Sequence, residues 1–241
     1  MSRFAKKICV ITGGTDGIGL GIAERFAKEG GKVIICSRNE KNVKAAQEEL
    51  KDYDVEAYQC NVGNEKQRTE FFHKIGEKYG KIDVLVLNVA WSTHFGMQLD
   101  ITEKAYDKMF EVNVKSTFFA IKDAKPYLEK GENPNILILS SVVGVNPSPP
   151  IGVYSMTKAA LDNMVKFLSV ELRCDGIRIN GIAPGLIKTK LAQNIIDNPQ
   201  VDKESIGKPS DIGSFAATIC SDDGAFCNGE IYKVHGGFSN I

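Results

Sequence analysis

From Ile8 to Val234 the chain alternates short apolar runs with stretches of helical period, and no other feature limits its fold as much. In order, it reads as strand Ile8–Thr12, helix Ile18–Lys28, strand Lys32–Ser37, helix Glu40–Leu50, strand Val55–Cys60, helix Glu65–Tyr79 and strand Asp83–Asn88. Longer units come next: a helix from about Thr102 to Leu128, strand Asn135–Ser140, a helix from about Gly152 to Arg173, strand Arg178–Ile182, a helix from about Asp211 to Cys220 and strand Glu230–Val234. Strands separated by helices pair in parallel, because each helix carries the chain back along a face of the sheet. The expectation is an α/β, doubly wound parallel sheet of about seven strands with helices on both faces. With no Pro/Gly/Ser linker, residues 1–241 are expected to form a single domain. Trp91–Asp100, Val142–Ile151 and Leu186–Lys208 are the least regular segments, and each follows a strand. Ligands of such sheets sit beyond the carboxyl ends of the strands, so these three loops should wall the pocket.

Thirty basic against thirty acidic residues leave no electrostatic footprint for nucleic acid or an anionic membrane, so the expected partner is a small molecule. No apolar stretch reaches the ~18 residues of a membrane span. Six cysteines without a C-x-x-C pair, and the three histidines His73, His94 and His235, form no metal-ligand pattern, so reduced thiols and no metal are expected. Met1 to Lys7 carries no signal-peptide apolar region, and Ser239-Asn240-Ile241 is not a Ser-Lys-Leu type ending; the expectation is a cytoplasmic protein.

Thr12-Gly13-Gly14-Thr15-Asp16-Gly17-Ile18-Gly19 joins the first strand to the first helix. Glycines there let the backbone turn tightly and approach a pyrophosphate, which the helix N-terminus then faces. The second strand ends at Ser37-Arg38, where an NAD site usually places a carboxylate for the ribose hydroxyls. Arg38 offers instead a guanidinium fork suited to a 2'-phosphate, which favours NADP(H). Asp16 argues the other way, since a carboxylate beside the phosphates would repel them, and Glu40 could serve the ribose.

Tyr154-Ser155-Met156-Thr157-Lys158 puts a phenol and an ammonium one helical turn apart on one face. A free phenol titrates near pH ~10, and an adjacent cation lowers it toward the working range of a proton shuttle. Ser141, at the end of the fifth strand, can reach the same crevice and polarise a carbonyl. Ser140 is its rival, and strand alternation should let only one of the two face the pocket. Asn113, flanked by apolar residues, needs a hydrogen bond to offset its burial.

Together these residues resemble the short-chain dehydrogenase/reductase family over nearly the whole chain, from Lys7 to Phe238. The glycine loop, Asn88-Val89-Ala90, Asn113, Ser141, Tyr154/Lys158 and Pro184 to Thr189 occur in the family's order. The resemblance implies a Rossmann-type sheet in which Tyr154 donates a proton to the substrate carbonyl. Lys158 would lower its pKa and hold the nicotinamide ribose, Ser141 would orient the carbonyl, and Asn113 would support a water relay to Lys158. Gly13, Thr15, Asp16, Gly17, Ile18, Gly19, Ser37, Arg38, Asn61, Val62, Asn88, Val89, Ala90, Pro184, Gly185, Ile187 and Thr189 would contact the cofactor. Within the family the chain looks most like the NADPH-dependent tetrameric carbonyl reductase and retinol dehydrogenase branch, through Thr15 to Gly19, Ser37-Arg38, Cys60 to Gly63, Pro147-Ser148-Pro149 and Ala183 to Thr189. Similar enzymes carry the Asp16-type residue and still use NADPH. Three departures stand out: Leu87-Asn88-Val89-Ala90 replaces Asn-Asn-Ala-Gly, Asn61 replaces an acid, and Lys190 to Gly207 is short for a substrate loop.

The expected activity is reduction of lipophilic or aromatic ketones and aldehydes, with Trp91, His94, Phe95, Val143, Val145, Pro147, Leu186 and Leu191 lining an apolar cavity. A 3-oxoacyl-thioester reductase would use the same residues. It would want a basic mouth, and Lys188, Lys190, Lys203 and Lys208 are diluted by Asp197, Asp202 and Glu204. A dinucleotide-binding sensor is the alternative of another class, but a sensor has no need of a proton donor. A homotetramer, or at least a dimer, is expected because the resemblance places subunit contacts on the two long helices, which carry apolar residues outside one sheet-facing stripe: Phe110, Phe118, Phe119 and Ile121 on one, Met164, Phe167, Leu168 and Val170 on the other.

Overall fold

The computed structural model describes residues 2–237, so Phe238 and the Ser239-Asn240-Ile241 ending lie outside the described residues. All seven apolar runs form strands: β1 Ile8–Thr12, β2 Lys32–Ser37, β3 Val55–Gln59, β4 Val84–Leu87, β5 Asn135–Leu139, β6 Arg178–Pro184 and β7 Ile231–Val234. They make one parallel sheet in the order β3-β2-β1-β4-β5-β6-β7. The chain turns back between β1 and β4, whose registered partners include Thr12 and Leu87, so the loops leaving these strands diverge and open a crevice.

The helices are α1 Gly17–Lys28, α2 Glu40–Glu49, α3 Glu65–Tyr79, α4 Glu103–Phe110, α5 Ser116–Leu128, α6 Gly152–Glu171, α7 Gln193–Ile196 and α8 Pro209–Cys220. Asp16, Asn39, Asn64 and Thr102 begin α1 to α4, each with a side-chain oxygen accepting a first-turn N–H, which is why these helices start where they do. Alternate residues of the strands feed two cores. Val10, Leu85, Ile136 and Ile179 pack against α3, α5 and α6, while Ile11, Val86, Leu137 and Ile182 pack against α1, α2 and α8. Each fully buried Val, Leu or Ile contributes roughly 1.5–3 kcal/mol, so a central strand without polar side chains is strongly held. Among the described residues no helix is long and apolar enough to cross a membrane.

Two expectations need correction. The single helix from Thr102 to Leu128 is α4 and α5 joined by a π turn over Glu111–Lys115. The widened turn loosens backbone carbonyls, and hydroxyls one turn on bond to two of them: Ser116 Oγ donates to Val112 O at 2.6 Å and Thr117 Oγ1 to Asn113 O at 2.8 Å. The segment Leu186–Lys208 is not irregular but holds 3-10 turns Lys190–Ala192 and Lys203–Ser205 around α7. Its base is fastened by a bridge in which Lys188 N donates to Gly207 O and Gly207 N to Leu186 O, both at 2.9 Å.

Candidate active site

The crevice between β1 and β4 is floored by the glycine loop. Gly17 sits at φ +54°, a backbone that L side chains rarely adopt, and a Cβ on Gly19 would lie 2.3 Å from Gly13 O. The loop is thus a close-packed turn that brings the N-terminus of α1 to the crevice. Asn88, the residue after β4, holds it, donating through Nδ2 to Gly13 O at 2.9 Å. Gly13, Thr15, Asp16, Gly17 and Ile18 line this crevice of about 500 Å³, and so do Ser37, Arg38, Asn61, Val62, Asn88, Val89 and Ala90. Gly19 does not: it lies beneath the loop, in contact with Gly13. Asp16 does not stand as a free negative charge. Its carboxylate caps Gly17 N at 2.8 Å and pairs with Lys190 Nζ at 2.6 Å. Arg38 is exposed at the far end, where its guanidinium forms no ion pair among the described residues.

A second cavity, of about 190 Å³, opens from the crevice at Tyr154. Of the expected substrate residues, His94, Phe95, Val143, Leu186 and Leu191 line it. Trp91 faces the crevice instead, because the loop after β4 turns only beyond it, and Val145 and Pro147 line neither space. Pro184, Gly185, Ile187 and Thr189, expected at the cofactor, border this cavity, and Thr189 and Leu191 border both. Ser92, Thr93, Ile151, Ala192, Asn194 and Ile195 also line the wall; nothing in their spacing marked them. Cys36, Asn42, Lys108 and Val112 likewise join the crevice without a signal in the sequence, and so do Cys60 and Gly63, which the sequence marked only as part of a family motif.

Tyr154 lies on the first turn of α6, at the join of the two spaces. Lys158 Nζ is 5.5 Å from its ring centre and donates to Leu139 O at 2.7 Å. In this structure burial pushes the Tyr154 phenol up, the opposite direction to the one expected from Lys158. Burial acts on Lys158 too, lowering it to about 8. Ser141 opens a 3-10 turn, accepts from Val143 N at 3.4 Å and faces the second cavity. Ser140 also borders both spaces, but its N–H still bonds to β6, donating to Ile182 O at 2.8 Å, and only Ser141 belongs to the turn, as its first flanking residue. The Ser140 hydroxyl is buried and donates to Lys158 O at 3.3 Å.

Asn113 lines neither space. It is fully buried in the π turn, where it accepts from Trp91 N at 2.8 Å and donates to Trp91 O at 3.0 Å and Thr157 Oγ1 at 3.1 Å. It therefore ties the loop after β4 to α6. Gln98 does the same, donating to Gly96 O and Pro150 O and accepting from Val153 N. Asp162, one turn beyond Lys158, carries no sequence signal either, since a lone acid on a helix reads as a solvated one. Among the described residues no cluster of three or more His, Cys, Asp or Glu could hold a metal ion.

A family model described as enoyl-(acyl carrier protein) reductase matches residues 13–239. A short-chain dehydrogenase/reductase of Arabidopsis thaliana, SDRA, is 35% identical over 245 residues, covering 98% of this chain and 95% of its own. The NADP complex of RhlG from Pseudomonas aeruginosa superposes with a TM-score of 0.92 at 26% identity, covering 99% of each chain. A 3-ketoacyl-(acyl-carrier-protein) reductase of Brucella melitensis in complex with NADH gives a TM-score of 0.91 at 26% identity, over 98% of this chain and 99% of that one.

Proposed function

The chain belongs to the short-chain dehydrogenase/reductase family of oxidoreductases, and on that basis we propose that it is an NADPH-dependent carbonyl reductase for lipophilic or aromatic ketones and aldehydes. The observation that carries this reading is the place of Tyr154 where the glycine-floored crevice meets the apolar cavity. A dinucleotide fits the crevice by its donor set: the α1 N-terminus for a pyrophosphate, Arg38 for a 2'-phosphate, and Lys158 and Thr189 at the nicotinamide end. RhlG, so similar in fold, is complexed with NADP. When bound, NADPH supplies the hydride.

The chain's own residues would do the rest. Ser141, at the cavity wall, orients the carbonyl oxygen through its hydroxyl. Tyr154, held neutral by burial, gives its proton to the forming alkoxide. Lys158 presents an ammonium beside the phenol and offsets the charge that the departing proton leaves behind. Asn113 keeps the loop after β4 and α6 in register, with a water relay to Lys158 as its further role.

A second reading, reduction of a 3-oxoacyl thioester, is favoured by one feature: the cavity opens at Phe95 and Leu191, 61% and 51% exposed, which leaves room for a long acyl arm. Against it, the lysines of the mouth are partly engaged, Lys190 by Asp16 and Lys203 by Ile196 O. The deciding test is the initial rate of NADPH oxidation, with NADH in parallel, on an aromatic dicarbonyl, an aryl ketone, retinal and an acetoacetyl thioester. Tyr154→Phe should lose roughly 10²–10⁴ of the rate while still binding the cofactor. Best turnover on the thioester would select the second reading, and cofactor binding without turnover of any carbonyl would mark a sensor.

A further inference from the structure

Asp162 continues on α6 the stripe that Tyr154 and Lys158 begin. Both of its carboxylate oxygens are buried, and neither has a hydrogen-bond partner. Burying an acid this way is unfavourable unless a nearby charge compensates it. The turn after β5 is shaped around the group: a Cβ on Gly144 would come within 2.9 Å of Asp162 Oδ2 and 3.0 Å of the carbonyl carbon of Lys158. Ser140 also stands against it from that side but spends its proton on Lys158 O.

Three cations face Asp162: Lys158 and Lys166 from its own helix, and Lys233 from β7. Lys166 is engaged by Gly229 O and Glu230, and Lys233 is exposed to solvent. Lys158 is the buried one, and among the described residues its ammonium bonds only to the neutral Leu139 carbonyl. A dry ammonium and a dry carboxylate one helical turn apart each need the other.

We propose that Asp162 is a positioning residue of this site, the fixed counter-charge that keeps Lys158 an ammonium beside Tyr154; the inference rests on the reductase reading above. Burial pushes Lys158 down and the Asp162 carboxylate pushes it back up. The effect is mutual: burial raises the Asp162 carboxyl, while the neighbouring Ser140 hydroxyl, then Lys158, Lys166 and Lys233, oppose that rise. Without Asp162 the ammonium would be lost at lower pH, and reduction would fail there.

The test is ¹⁵N NMR titration of the lysine side chains in the whole protein, the Lys158 signal being assigned by its loss in Lys158→Met. The wild-type midpoint is expected at about 8. In Asp162→Asn it should fall by roughly half to one pH unit. The alkaline limb of kcat should move by the same amount with the KM for NADPH unchanged. An unchanged Lys158 midpoint overturns the proposal, as does an even loss of kcat at all pH, which is what a merely structural role would produce. If Asp162→Asn does not fold, Asp162→Ser is read in the same way. The titration uses no substrate, so failure of the reductase reading would show separately, as a wild type that turns over no carbonyl.

Discussion

Gln98 and Val153 are 55 positions apart, yet the Gln98 side-chain oxygen accepts the Val153 N–H at 2.9 Å, one residue before Tyr154. The same side chain donates to Gly96 O at 2.9 Å and Pro150 O at 2.8 Å, so one amide fastens a wall of the cavity to the start of α6. Gln98→Ala removes all three bonds and frees the first turn on which Tyr154 stands. It should cost about 1–2 kcal/mol of stability. We expect kcat to fall about tenfold with the Kd for NADPH unchanged, read by steady-state kinetics and by fluorescence titration of the cofactor.

Lys158 exchanges stability for function. Its pKa is about 8 when folded and 10.5 in the free side chain, so between these values the unfolded chain holds the extra proton and stability rises with pH. Below pH 8 the full penalty of burying the ammonium is present. Lys158→Met should therefore melt higher than the wild type at pH 7, by on the order of 1–3 kcal/mol after the loss of Asp162's neighbour is offset. The difference should shrink toward pH 10.5, and turnover should be lost throughout; calorimetry at several pH values checks the sign.

Arg38 is exposed and unpaired among the described residues, which leaves its fork available to a phosphate. Arg38→Leu should weaken NADPH binding roughly 10- to 100-fold, the worth of a charge-assisted bond, and leave NADH binding nearly unchanged. Equal losses for both cofactors would show that Arg38 does not read the 2'-phosphate.

Phe118 on α5 and Met156, Phe167 and Val170 on α6 are exposed, whereas Ile121, Met164 and Leu168, expected on the outer face, belong to the core. The exposed apolar residues are thus fewer than the sequence suggests, but both helices carry some. Light scattering on a sizing column should give a tetramer that Val170→Asp or Phe167→Asp dissociates. A monomer at micromolar concentration would dispose of the idea.

The strands were legible because runs such as Cys9-Val10-Ile11 and Val33-Ile34-Ile35 leave no polar face to mistake. The cofactor crevice was legible for a related reason, as glycines between a strand and a helix have few other uses. Trp91 was misplaced because the point where a loop turns depends on what pins it, here Asn113 from a distant helix. The short turns near α7 span three or four residues each, fewer than a helical period needs to declare itself. Tyr154 and Lys158 could be paired from their spacing, but the direction of their pKa values could not, because it is set by how dry the site is.

The π turn at Glu111–Lys115 works as a phase shifter in a single rod. One residue beyond an ordinary turn rotates the next helix by about 100°, so α4 can face α6 while α5 faces α3, with no break between them. Such a rod should forgive changes of side chain more readily than changes of length. Deleting one residue between Glu111 and Lys115 would restore the common winding and force a choice: either Ala120, Ile121 and Ala124 leave the sheet, or Asn113 swings away from Trp91 and Thr157.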